Sequence, residues 1–235
     1  MARLARIVIP HVAHHVTQRG NRRLPVFFSD ADRDVYLGLL SEFAKTSRTR
    51  CLAWCLMDNH VHLVLVPETA DGLRAMLAEA HRRYTREINF REGWRGHLFQ
   101  SRFASYPMDH AHVMAAVRYV ERNPVAARLV EDAADWRWSS ARSHIQGKRV
   151  KGDPLTDVQA LGRHVPNWRA MLRHGVEAGE LTEEGEAVAE SIEKRLNTGR
   201  PLAAPEWIAA QEITIGRPLA PQKPGPRPRN GIEGK

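Results

Sequence analysis

Several features are scarce in this sequence, and each one narrows the class of protein. Only two of the 235 residues are cysteines, Cys51 and Cys55, and both lie in one apolar stretch. No second Cys or His pair with zinc-site spacing accompanies them, so we interpret them as buried free thiols. No apolar run reaches the roughly 18 residues of a membrane span, and residues 1–6 lack the apolar core of a signal peptide. We therefore expect a cytoplasmic protein without membrane contacts.

Acidic residues are fewer than basic ones. The chain has 27 Asp and Glu against 35 Lys and Arg, which gives a formal net charge of +8 and a pI of about 10.0. Cationic side chains release counterions when they contact phosphates, so this excess favours a polyanionic partner. Nucleic acid is the leading candidate.

The apolar patterns predict a βαββαβ order followed by a further helix. Apolar runs and alternating residues mark four strands, at residues 11–19, 51–57, 60–66 and 98–106. Apolar residues at helical spacing, together with capping residues, place helix starts at Ser29, Asp71 and Asp109. The last of these helices is expected to end at Asn123, because Pro124 follows. The fold class predicted is α+β: a ferredoxin-like antiparallel sheet with helices on one face, plus the additional helix.

The composition changes along the chain and predicts three parts. We expect residues 1–149 to form the main domain and residues 150–216 to form a Glu-rich helical extension. Residues 217–235 form a basic tail rich in Pro and Gly, which we expect to be disordered. Arg227 and Arg229 alternate with prolines there, so their charges are available to DNA. A solvated tail with no specific role is the alternative.

A pair of histidines lies on one of the predicted strands. Alternate side chains on a strand share a face, so His60 and His62 point the same way, with Cα atoms about 6.6 Å apart. Two imidazoles at this spacing can bind one metal ion. Such a pair also arises by chance, and a structural histidine is the alternative interpretation.

The additional helix carries a tyrosine and an asparagine on one face. Tyr119 and Asn123 stand four residues apart, so a phenol and an amide are presented together near the end of the helix. The structural alternative is a half-buried core aromatic followed by an ordinary C-terminal helix residue.

Four segments, in order, resemble the single-tyrosine transposases of the His-hydrophobic-His superfamily, and especially the REP-associated tyrosine transposases, which resemble IS200-type enzymes. They are residues 15–21 (HVTQRGN), 57–64 (MDNHVHLV), 97–103 (HLFQSRF) and 118–125 (RYVERNPV). Four matches in the same order are far more specific than one. The likeness covers about residues 8–145, and it implies that residues 1–149 are the catalytic domain.

The resemblance implies a metal-dependent transposase that cleaves and rejoins single-stranded DNA, at hairpin or palindromic repeats, through a covalent phosphotyrosine intermediate. It makes Tyr119 the nucleophile, and His60, His62 and Asn123 the ligands of Mg²⁺ or Mn²⁺. No nucleotide cofactor is implied, and the protein would be nucleoid-associated. The side chains assigned to DNA binding are Arg19, Asn21, Arg22, Arg102, Arg118, Arg122, Arg227 and Arg229.

One position departs from the family pattern. The family often has an aromatic residue before the Val-Thr of its first strand, whereas this chain has His15, next to His14. We interpret both histidines as structural, with DNA contact or an effect on metal preference as alternatives.

Other functions and assemblies stay open at this point. The main alternative is a sequence-specific protein that binds DNA hairpins without transposing. An RNA-binding module would need aromatic residues on the central strand, and the sequence has none there. A zinc hydrolase would need a third His or a carboxylate at helical spacing from the histidine pair, and this pattern does not occur either. Related enzymes are often homodimers, but the long C-terminal extension is also compatible with a monomer.

Overall fold

The computed structural model describes residues 6–162, 165–174 and 188–220. Four strands are β1 (Ala13–Arg19), β2 (Thr49–Met57), β3 (His60–Pro67) and β4 (Ala104–Met108). The first three helices are α1 (Asp30–Thr46), α2 (Gly72–Glu92) and α3 (His110–Ala126). The later ones are α4 (Ala141–Gln146), α5 (Trp168–His174), α6 (Val188–Thr198) and α7 (Pro205–Ile215).

The strands form one antiparallel sheet in the order β2-β3-β1-β4. The first elements follow the order βαββαβ, so the predicted ferredoxin-like α+β fold is confirmed. β3 is a central strand, and its register against β1 places Arg19 opposite His60 and Thr17 opposite His62. The two histidines therefore lie near the end of β1.

Helices cover both faces of the sheet. Val61, Leu63 and Leu65 pack into the core under α1 and α2. Val64 and Val66, which alternate with them along β3, pack with α3 on the opposite face. His62 shares the α3 face by the same alternation, so the additional helix lies over the histidine pair.

Two predicted boundaries were wrong. The fourth strand begins at Ala104, because residues 98–103 form a loop that hydrogen-bonds to the end of β1 and the residues after it. α3 continues past Asn123 and through Pro124 to Ala126. A proline in the last turn leaves only one carbonyl without a helical donor, and its fixed φ fits a helix, so the helix tolerates it there.

A tight turn follows β1. A side chain at Gly20 would place its Cβ 2.1 Å from the carbonyl oxygen of Leu24, so only glycine fits. Arg22 and Arg23 have φ values of 54° and 63°, in the left-handed region that non-glycine residues rarely adopt. The turn thus holds two exposed arginines in an unusual conformation next to the histidine pair.

A buried carboxylate fixes the position of α3. The Glu121 side chain is fully buried, and Ser140 Oγ donates to its Oε1 over 2.5 Å. His144 Nδ1 lies 2.6 Å from the same oxygen, and Trp168 Nε1 donates to Oε2 over 2.7 Å. Because a buried carboxylate needs such partners, these contacts set how α3 faces α4 and α5.

None of the helices in the described part of the chain is long and apolar enough to cross a lipid bilayer. Both cysteines are buried free thiols, as predicted.

Candidate active site

The structure brings four of the predicted site residues together between β3 and α3. The Tyr119 ring contacts the His62 ring edge-on, with centroids 5.6 Å apart, and the His62 and His60 centroids are 4.9 Å apart. The Asn123 amide lies close enough to the His60 ring and to the Tyr119 hydroxyl to influence the pKa of each. The two histidines of β3 and the Tyr119 and Asn123 side chains of α3 therefore form one site, although more than fifty residues separate them in the sequence.

Each histidine has one ring nitrogen held by a neighbour. His60 Nδ1 is 2.6 Å from Asn59 Oδ1, and the Asn59 amide nitrogen donates to the Arg23 carbonyl. An amide oxygen only accepts, so His60 Nδ1 carries the proton and Nε2 keeps its lone pair. His62 Nδ1 is 3.0 Å from His15 Nε2. Nε2 is thus the ring nitrogen that each histidine has to offer a cation.

Both imidazoles are neutral at neutral pH. The pKa of His60 is lowered to about 4, mainly by burial and also by the positive charge of Arg19, while the Asn123 amide opposes the shift. Burial lowers the pKa of His62 well below its usual value, and His15, His60 and Arg19 add to the effect. A metal binds the neutral ring, so protonation does not compete with it at neutral pH.

These residues fit a divalent cation. Two imidazole nitrogens and an amide form a mixed N/O set of the kind that Mn²⁺ accepts and Mg²⁺ tolerates. Across residues 6–162, 165–174 and 188–220, no cluster of three or more His, Cys, Asp or Glu could hold a metal instead.

The Tyr119 hydroxyl lies in an environment that disfavours its anion. Its pKa is raised to about 12, mainly by burial and also by the nearby Glu193 carboxylate, whereas Asn123 and Arg19 oppose the shift. The hydroxyl donates to Glu193 Oε1 at 3.5 Å, the outer limit of a hydrogen bond. Glu193 belongs to α6, so the C-terminal extension contributes a charged group to the site.

We expect Glu193→Gln to lower the pKa of the Tyr119 hydroxyl, because removing the negative charge stabilises the Tyr119 phenolate. Because Glu193 is exposed and screened by solvent, the amount of phenolate at a given pH should rise only about two- to fivefold. Phenolate absorbance from pH 8 to 11, with the signal of a Tyr119→Phe variant subtracted, measures it. Equal titration curves for Glu193→Gln and wild type would show that Glu193 has no influence on the phenol.

Two further residues of the site were missed or left ambiguous by the sequence. His15 is fully buried and packs between Tyr106, Tyr119 and His62. Tyr106 is also fully buried, and its hydroxyl lies 3.0 Å from His15 Nδ1. The alternation of side chains along β1 could have indicated His15, because it places His15 on the same face as Thr17, which pairs with His62.

The residues predicted to bind DNA fall into three groups. Arg19, Asn21, Arg22 and Arg102 lie around the turn after β1, where Asn21 N donates to the Leu98 carbonyl and Gly20 pairs with Phe99. Arg118 and Arg122 lie on α3, and Arg122 donates to the carbonyls of Leu172 and Arg173, so its guanidinium faces α5. Arg227 and Arg229 lie outside the described residues.

Comparison with known proteins relates the chain to one family and to several solved structures. Residues 9–123 match the family of IS200-like transposases. A REP-associated tyrosine transposase solved bound to a REP hairpin is similar, with 19% identity, 67% of this chain and 93% of that chain covered, and a TM-score of 0.55. A candidate transposase from Deinococcus radiodurans has 20% identity over 52% of this chain and 97% of its own, with a TM-score of 0.37. None of the curated proteins compared matches the chain.

Proposed function

From the match of residues 9–123 to the family of IS200-like transposases, we propose that this protein cleaves and rejoins single-stranded DNA with Tyr119 as the nucleophile. One observation carries the proposal: the Tyr119 ring packs against His62, and Asn123 links Tyr119 to His60. A phenol, two neutral imidazoles and an amide around one point are the groups that a metal-assisted phosphoryl transfer needs.

The chemical step exchanges one phosphodiester bond for another and needs no separate energy source. The Tyr119 oxygen attacks the scissile phosphorus, a phosphotyrosine bond forms, and the bond to the 3′ oxygen of the preceding nucleotide breaks. The phenol loses its proton and the released 3′ oxygen gains one. Because one phosphodiester bond replaces another, a 3′-hydroxyl can later attack the phosphotyrosine and join new ends. This reversal is how the same site would both cut and rejoin.

The residues of the site have separate roles in this proposal. His60 and His62 would hold the cation through their Nε2 atoms, with the Asn123 amide as the third ligand beside the phenol. Arg19 contributes positive charge beside the histidines and favours the Tyr119 phenolate. When bound, Mg²⁺ or Mn²⁺ would polarise the phosphate and offset the negative charge that develops on it. No residue is assigned as the general base.

A hairpin is the DNA form that we propose as the target. The similar REP-associated protein was solved with a REP hairpin, and this supports the choice, together with the net charge of +8 of this chain. Neither observation gives a base sequence.

A denaturing gel tests the proposal. The full chain is incubated with end-labelled hairpin DNA carrying single-stranded flanks, with Mn²⁺, Mg²⁺ or EDTA. The transposase should give a metal-dependent covalent protein–DNA band. Reversible gel shifts with no covalent band under any condition would instead identify a hairpin-binding protein.

A further inference from the structure

Aromatic and cationic side chains are exposed together beside the turn after β1. We call this group the arginine–aromatic surface; it consists of Arg22, Arg23, Phe28, Trp94 and Arg95. Phe28 and Trp94 are 44% and 48% exposed, and their rings meet edge to face with centroids 5.5 Å apart. Exposed aromatics that touch each other are unusual, because burial of both rings would be favourable.

Two loops hold this surface next to the proposed active site. The turn after β1 carries Arg22 and Arg23, and the residues after α2 carry Trp94 and Arg95. Asn21 N donates to the Leu98 carbonyl, so the loops run side by side. Arg19, whose charge acts on Tyr119, directly precedes the turn. A strand leaving the Tyr119 site past Arg19 would therefore reach these side chains.

The three arginines of the surface have their charges available. Arg91, nearby, is tied to Asp32 and Glu92 by salt bridges. Within the described ranges, by contrast, Arg22, Arg23 and Arg95 form no such bridge. Cations without carboxylate partners, set among exposed rings, are complementary to a chain of phosphates and unstacked bases.

We propose that the arginine–aromatic surface binds the single-stranded DNA next to the cleavage position. Bases stack on Trp94 and Phe28, and phosphates contact Arg22, Arg23 and Arg95. Duplex DNA hides its base faces, so it would meet only the arginines. This inference rests on the proposed function, because it names how the same site receives its substrate.

Binding measurements on the full chain test this role. In the Tyr119→Phe background, which prevents cleavage, the affinity for a hairpin with a single-stranded flank is measured by fluorescence anisotropy. Trp94→Ala should weaken binding roughly five- to hundredfold, as expected for the loss of one stacked base. Arg22→Ala should instead reduce the salt dependence of the affinity by about one unit of slope. Arg82→Ala, an exposed arginine paired with Glu79, is the control and should change neither quantity.

Abasic DNA makes the test specific. Removing the base that stacks on Trp94 should weaken binding by the parent protein but have no effect on the Trp94→Ala variant. The stacking role would be overturned if base removal and Trp94→Ala each weakened DNA binding and their effects were additive. It would also be overturned if Trp94→Ala bound DNA as tightly as its parent. Tighter binding of the same sequence as RNA would overturn the choice of DNA. Failure of the parent protein to bind any flanked hairpin would instead count against the proposed function itself.

A second inference comes from the buried hydrogen bonds behind His62. His62 can offer Nε2 to a cation only if its Nδ1 carries the proton, and that proton then points at His15 Nε2, 3.0 Å away. His15 must in turn carry its proton on Nδ1 and donate to the Tyr106 hydroxyl oxygen, 3.0 Å away. The geometry points to His15 as a positioning residue that fixes the tautomer and the ring orientation of His62. This too rests on the proposed metal site.

The affinity for Mn²⁺, measured by calorimetry on the full chain without DNA, tests His15. His15→Phe keeps an aromatic ring but no acceptor, and should weaken binding by roughly 10- to 100-fold. His14→Phe replaces a buried imidazole on the other side of β1 and should leave the affinity unchanged. If His15→Phe does not fold, Tyr106→Phe is used, for which we expect a loss of about two- to tenfold.

The outcomes separate the two claims. No binding of Mn²⁺ by the wild type would contradict the metal site. The role of His15 would be overturned if the wild type bound Mn²⁺ tightly and folded His15→Phe bound it equally well. The same result for Tyr106→Phe would overturn it where that variant is used instead.

Discussion

Tyr119→Phe is expected to abolish the covalent protein–DNA product while DNA affinity stays within about twofold of wild type. The substitution removes one hydroxyl oxygen, the atom that would form the bond to phosphorus. The phenylalanine ring keeps the edge-on contacts with His15 and His62, so the site keeps its packing. Loss of a nucleophile should lower the cleavage rate by at least about 10³-fold. Denaturing gels measure the adduct and anisotropy measures the affinity.

Tyr36→Phe provides the matched control. Tyr36 is another buried tyrosine, but its hydroxyl bonds to His81 on the α1–α2 side of the sheet. This variant should still form the covalent product. An adduct that persists in Tyr119→Phe would mean that another residue attacks the phosphate, and the assignment of the nucleophile would be wrong.

His60→Ala is expected to give the second-largest effect, a loss of metal-dependent cleavage of about 10²- to 10³-fold. The reason differs from that for Tyr119, because the proposed nucleophile remains but one of the two proposed imidazole ligands is gone. The pKa of His60, about 4, also predicts that wild-type activity does not fall through protonation of this ring until the pH drops below about 5. Cleavage rates across Mn²⁺ concentrations and pH measure both effects.

A histidine elsewhere on the Tyr119 helix serves as the control for this variant. His110→Ala changes an exposed side chain at the start of α3 and should keep near-wild-type rates. Full cleavage by His60→Ala, with or without added metal, would show that His60 holds no catalytic cation. Rescue at high Mn²⁺ is not expected, because the remaining donors would bind the ion too weakly and in the wrong geometry.

Local rules predicted much of the fold. The period of two along a strand placed His60 and His62 on one face, and the structure confirms that placement because Val64 and Val66 follow them into the core under α3. The capping box of Ser29 and Asp32 is present at the start of α1. These features depend on neighbours in sequence, so the sequence alone shows them.

Other parts depend on contacts between distant segments. His15 reaches His62 only through the register between β1 and β3, and Glu193 reaches Tyr119 only because α6 packs near β4 and α3. Residues 98–103 have strand-like alternation, yet their hydrogen bonds go to the turn after β1, so they form a loop. Periodicity carries no information about such pairings. The catalytic and metal-binding roles of His60, His62, Tyr119 and Asn123 stay predictions.

The partners of Glu121 have a consequence for shortened forms of the protein. The family match ends at Asn123, but the carboxylate two residues earlier is satisfied by donors at Ser140, His144 and Trp168. A truncation just after the match would remove all three donors together with α5, which packs against α3, so the part of α3 that holds Glu121 would lose its cover. One that stops before Trp168 would still deprive one carboxylate oxygen of its donor. The smallest stable fragment that presents Tyr119 correctly must therefore reach beyond the recognisable homology, as far as the indole of Trp168.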